Sequence, residues 1–138
     1  MKLPRLTILV ALLAAPLQAH EAEDVTVTHV LSSTTTSGGQ PVVLPQKDAE
    51  VVVSIYDVTP GAGLPVHNHP HPRYAYVLSG VLRVNNIETG QTDTYTSGAF
   101  VLESVGLWHA DMSVGSEPLR LLVIDVVEKG QPNEVTLK

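Results

Sequence analysis

The chain contains no cysteine. That excludes a disulfide framework, a thiolate metal site and a thiol nucleophile, so stability has to come from packing alone. Positive charge is also scarce. Eight Lys and Arg stand against 14 Asp and Glu, for a net charge of −6. Such a balance makes a poor partner for nucleic acid or an anionic membrane surface. After residue 20 no twelve-residue window carries apolar residues at helical spacing. No repeat, linker or low-complexity tract divides the 138 residues, a length that suits one domain.

The amino-terminal stretch is of a different character. Lys2 and Arg5 precede an almost unbroken apolar run over residues 6–17, which is too short to span a bilayer, and Leu17-Gln18-Ala19 follows. Positive start, apolar middle and small-residue end in that order read as a secretory signal peptide cleaved after Ala19. The mature chain then begins near His20. It loses two basic residues, carries a net charge of −8 and is expected to be periplasmic or secreted, with no membrane attachment.

Short stretches of β-branched and apolar residues fill the rest, separated by Gly- and Pro-rich turns. Expected strands cover residues 25–31, 41–44, 49–58, 64–69, 73–78, 81–87, 91–96, 99–103, 107–114 and 119–127. Many short strands with regular turns make an all-β sandwich or barrel. The expected domain plan is a signal peptide at 1–19, a polar segment with a strand packing on the barrel at 20–48, the barrel at 49–128 and a tail at 129–138.

Three of the six histidines, His67, His69 and His71, fall within five residues. On an extended segment residues i and i+2 share a face, so His67 and His69 can converge while Asn68 looks away. Two neutral imidazoles on one face suit a divalent transition metal, although three surface histidines on a loop have the same sequence. Pro70 and Pro72 turn the chain and take His71 out of the pair. His109 lies forty residues after His69 on another strand. His29 reads as a strand-surface residue, and Tyr74, Tyr76 and Trp108 read as barrel-wall aromatics.

Gly61, five residues, His67-Asn68-His69, then Arg73, six residues and Gly80 resemble the first conserved box of the cupins. Gly98, five residues, Ser104-Val105-Gly106, two residues and His109 resemble the second. The resemblance covers residues 49–127. It implies a jelly-roll double-stranded β-helix, and a divalent metal (iron, manganese, zinc, nickel or copper) held by His67, His69 and His109. Pairing into a homodimer through edge strands is a further implication of the family. Ser104 stands in place of the usual proline, and Ser113 where an asparagine is common.

Arg73 is the larger departure, because the family usually carries a metal-binding glutamate there. A guanidinium about 5 Å from a dication is repelled by roughly 7 kcal/mol at an effective dielectric near 20. Three arrangements relieve this. Arg73 turns to a carboxylate (Glu103 or Asp111 by strand order) or to solvent; or it clamps a small anionic ligand; or the barrel is a metal-free relic. The functional expectation is an exported metal-binding cupin with room for a small-molecule ligand. An iron-dependent dioxygenase acting on a chelating substrate is the alternative from the enzyme class, with Glu103 the nearest acid in sequence.

The order of residues 2–19 generates the first prediction. Mass spectrometry of the exported protein should find a chain starting at or close to His20; a retained 1–19 segment refutes the signal-peptide reading.

Overall fold

The computed structural model describes residues 25–137; the expected signal peptide and His20 lie outside the described residues. Among the described residues there is no helix. Nine strands form: β1 (Ala49–Val58), β2 (His67–Asn68), β3 (Arg73–Ser79), β4 (Val81–Asn86), β5 (Thr92–Thr96), β6 (Phe100–Leu102), β7 (His109–Ser113), β8 (Leu119–Glu128) and β9 (Val135–Thr136). They make two antiparallel sheets, β1-β8-β3-β6 and β5-β4-β7-β2-β9. The result is the expected all-β jelly-roll barrel.

The inward side chains change character along each strand. On β8 the buried positions run Leu119, Leu121, Val123 and then Asp125, with the apolar Val127 beyond it; on β3 they run from Val77 through Ala75 to Arg73. Strand β7 runs from Ser113 through Asp111 to His109. Antiparallel registers bring the apolar ends together. Val77, Leu82, Leu119, Leu121 and Val123 form the core, with Tyr56, Val58 and Tyr95 packed against it. The same registers collect the polar ends at the other end of the barrel: Arg73 stands opposite Asp125, and His67 opposite His109. Period-2 alternation thus fills one end with hydrocarbon and leaves the other to charged groups.

Three stretches differ from the sequence expectation. Residues 25–31 alternate like a strand but form none, and Val25 and Val27 are exposed, because no neighbouring strand offers them a ladder. Residues 41–44 supply only an isolated bridge from Pro41 to Thr35. The histidine strand shrinks to His67–Asn68, between Pro65 and Pro70, neither of which has an N–H to give. Beyond residue 128 the chain does more than trail away. Strand β9 pairs with β2, matching His67 to Thr136 and Asn68 to Val135, and Leu137 N donates to Val66 O at 3.1 Å.

Gly80 carries the chain from β3 in one sheet to β4 in the other. Its φ is +76°, and an added Cβ would lie 2.5 Å from Pro118 O and 2.7 Å from Leu119 Cα. Gly90, in the β4–β5 turn, has φ +73° and nothing within 4 Å. Gly80→Ala should therefore cost on the order of 3 kcal/mol or more, through strain plus backbone collision, and Gly90→Ala about 1 kcal/mol. Urea unfolding of the two variants checks this; equal costs would show that the β3–β4 crossing yields freely.

Candidate metal centre

His67 on β2 and His109 on β7 are directly paired residues of an antiparallel ladder, so their side chains stand side by side on one face. His69, two residues after His67, keeps the same face. Its backbone is fixed by a bridge to Val105 and by Gly106 N donating to its carbonyl at 2.8 Å. All three rings are buried, and their centroids lie 4.4 to 4.9 Å apart.

Each ring is aimed by a backbone carbonyl. The Nδ1 atoms of His67, His69 and His109 lie 2.7, 2.7 and 2.8 Å from the oxygens of Pro65, Asn133 and Leu107. A carbonyl can only accept, so each Nδ1 carries the proton and each neutral ring leaves a lone pair on Nε2. Those three Nε2 atoms lie within 4.8 Å of one another. None has a hydrogen-bond partner among the described residues. A buried polar atom left so costs about 1–3 kcal/mol. One cation at the point where the lone pairs meet would satisfy all three, so the residues present fit a divalent metal. Burial pushes the pKa of His67 down, and the neighbouring imidazoles add to that push.

Two carboxylates complete the surroundings. Glu103 follows β6 two residues after the buried Val101 and therefore also points inward. Its Oε2 lies 3.0 Å from His69 Nε2 and 3.4 Å from His109 Nε2. Burial alone would raise Glu103, but the imidazoles of His109 and His69 hold it well below the usual carboxylate range. Burial alone would lower His109; the carboxylate of Glu103 reverses this and raises it. Both shifts express one fact, that positive charge is favoured between this oxygen and these rings. Asp111 stands two residues after His109 on β7, with Oδ2 3.7 Å from His67 Nε2 and Oδ1 without a partner. Burial, then the negative field of Glu103, push Asp111 up to about 7. A cavity of about 20 Å³ opens beside Glu103 and His109, between Ser37, Asn86, Asp93 and Ser104. That is room for one water-sized ligand.

The sequence model of the family described as "Cupin domain" matches residues 54–125, which takes in all three histidines and both carboxylates. The chain is a cupin. Among solved structures it is similar to the polyketide cyclase RemF of Streptomyces resistomycificus, at 22% identity and TM-score 0.54, over 71% of this chain and 70% of the cyclase. It is similar to the DMSP lyase DddQ of Ruegeria pomeroyi, at 20% identity and TM-score 0.54, over 71% of this chain and 46% of the lyase. It is also similar to the oxalate decarboxylase of Lactobacillus farciminis, at 20% identity and TM-score 0.53, over 75% of this chain and 30% of that enzyme. Likeness at these identities shows a shared fold. No curated protein matches the chain.

In this cupin Arg73 turns to an acid other than Glu103 and Asp111. Its Nε donates to Asp125 Oδ1 at 2.7 Å and its Nη2 to Asp125 Oδ2 at 3.1 Å, with Glu134 3.6 Å from Nη1. The reason is register. Arg73 on β3 is the paired neighbour of Asp125 on β8, so the two project together from the inner face. Burial would lower the Arg73 pKa, but the Asp125 hydrogen bonds, then the charges of Glu103 and Asp125, raise it.

Asn133 has no signal in the sequence pattern, yet it ties this pair to the histidines. Its carbonyl accepts from His69 Nδ1, its Nδ2 donates to Asp125 Oδ1 at 2.6 Å, and its Oδ1 accepts from His71 N at 2.8 Å. His71 itself stays outside the histidine cluster, while Tyr74 and Tyr76 sit against Phe100.

The raised Asp111 carboxyl sets a pH dependence. The folded protein keeps a proton that the unfolded chain loses above about pH 4. This costs stability that grows as pH rises from about 4 to 7 and is constant above. In the metal-free protein Asp111→Asn should therefore stabilise by about 2–4 kcal/mol at pH 8 and by little at pH 4. Thermal melts in chelator at both pH values check the sign; a variant equally or less stable at pH 8 contradicts it.

Proposed function

We propose that this cupin binds one divalent transition metal through the Nε2 atoms of His67, His69 and His109. The observation that carries the reading is the set of three Nδ1–H groups given to backbone carbonyls. With the protons placed there, three lone pairs converge in a buried space, and burial keeps His67 neutral and ready to bind. Iron, manganese, zinc, nickel and copper all accept imidazole nitrogen.

When bound, such an ion supplies Lewis-acid activation to a ligand at an open coordination position. The chain's own part is to aim the rings and to admit one small molecule. The cavity beside Glu103 and His109 supports a ligand of few atoms at that position. Arg73 is engaged by Asp125, so an anionic ligand would be drawn by the metal rather than by this guanidinium. The order of residues 2–19 supports action after export, in the periplasm or outside the cell.

Elemental analysis of the protein purified from its native compartment, followed by equilibrium dialysis of the stripped protein, tests the reading. One metal per chain is expected. His67→Ala and His109→Ala should each weaken binding by about 100-fold or more. A stripped protein that takes up none of the five metals refutes the proposal, as does unchanged affinity in both variants.

A further inference from the structure

The three rings supply three donors, and a fourth candidate stands beside two of them, His69 and His109. Glu103 Oε2 is 3.0 Å from His69 Nε2 and 3.4 Å from His109 Nε2. Two donors each about 2.1 Å from a shared ion are about 3.0 Å apart at a right angle and about 3.4 Å apart at the tetrahedral angle. The two separations match edges of a coordination polyhedron, as they also match a carboxylate–imidazole ion pair. Oε2 is buried and has no hydrogen-bond partner among the described residues. The side chain is nearly inaccessible, at 8% exposure. Its placement is also rigid: Glu103 N donates to Arg73 O at 2.9 Å, which fixes the carboxylate's root to β3. Arg73 gives its guanidinium to Asp125 and so leaves the Glu103 oxygen free.

We propose that Glu103 is the fourth ligand of the metal, delivered from the end of β6 while His67, His69 and His109 come from the opposite sheet and its extension. The proposal rests on the metal reading above and adds the donor set to it. Three imidazole nitrogens and one carboxylate oxygen reduce the charge of a bound dication to +1. They favour ions that accept hard oxygen beside nitrogen, such as Fe²⁺, Mn²⁺, Co²⁺ and Zn²⁺, over the soft Cu⁺. The cavity lies on the side of Glu103 and His109, so an incoming ligand reaches the ion past the carboxylate.

The test uses Co²⁺ as the probe. The stripped full chain is titrated while affinity and the visible ligand-field spectrum are recorded, and the same is done for Glu103→Gln. Expected are one Co²⁺ per chain in both proteins, a 10–100-fold loss of affinity in the variant and a changed spectrum. Unchanged affinity and spectrum overturn the fourth ligand and leave the three-histidine site standing; they would mean that the carboxylate only shares a proton with the rings. No Co²⁺ binding by the unsubstituted protein overturns both readings together. If Glu103→Gln does not fold by circular dichroism, Glu103→Asp replaces it. That variant keeps the charge but draws the oxygen back by one methylene, so an unchanged spectrum there overturns the proposal equally.

Discussion

Three ring protons given to three backbone carbonyls set the character of this barrel. The acceptors belong to Pro65, Leu107 and Asn133, in three separate stretches of chain. Because each carbonyl holds its ring by Nδ1, the opposite nitrogens meet in one buried space without partners of their own. A fold that leaves three buried nitrogens unsatisfied carries a cost of several kcal/mol unless a cation fills the space. The surrounding acids follow from this. Glu103 is buried beside the rings, where its negative charge has value only against positive charge, and Asp111 beside it is held to its proton by burial and by Glu103.

The polar end of the barrel separates two charge systems. Glu103 and Asp111 face the histidines. Arg73 and Asp125 face each other, satisfied as a bidentate pair with Asn133 attached. That pairing removes the difficulty of a guanidinium near a dication, because the charge is balanced where it stands. It also gives the last residues of the chain a structural task. Asn133 joins Asp125 to His69, and β9 holds β2 by its free edge, so the carboxy-terminal segment sets the orientation of two histidines.

Much of the barrel was legible in the alternation of residues. Eight of the nine strands fall where period-2 patterns and Gly or Pro turns put them, with ends shifted by a few residues. Strand β9 escaped because two residues, Val135 and Thr136, carry no periodicity. Residues 25–31 went the other way, with a good pattern but no partner. The histidine cluster was half legible: the i, i+2 pair states a shared face, whereas His109 entered through a family resemblance. Glu103 and Asp111 were visible as acids and misassigned as partners of Arg73, since nearness in strand order is a poor guide to nearness across a sheet.

The sequence by itself determined which residues could face inward. Alternation is a local property of extended chain, so Val101 and Glu103, His109 and Asp111, and Arg73 and Ala75 each share a face whatever the strand packs against. Composition likewise determined that the site would be built from nitrogen and oxygen, because there is no cysteine. Only the tertiary structure decided who meets whom. Register between β3 and β8 gave Arg73 to Asp125, and register between β2 and β7 set His67 beside His109. The closing of one sheet over the other brought Glu103 to His69. These are contacts between residues 34 to 52 positions apart in the chain, and no local preference encodes them. They follow from the requirement that apolar faces be buried and ladders be completed at the same time.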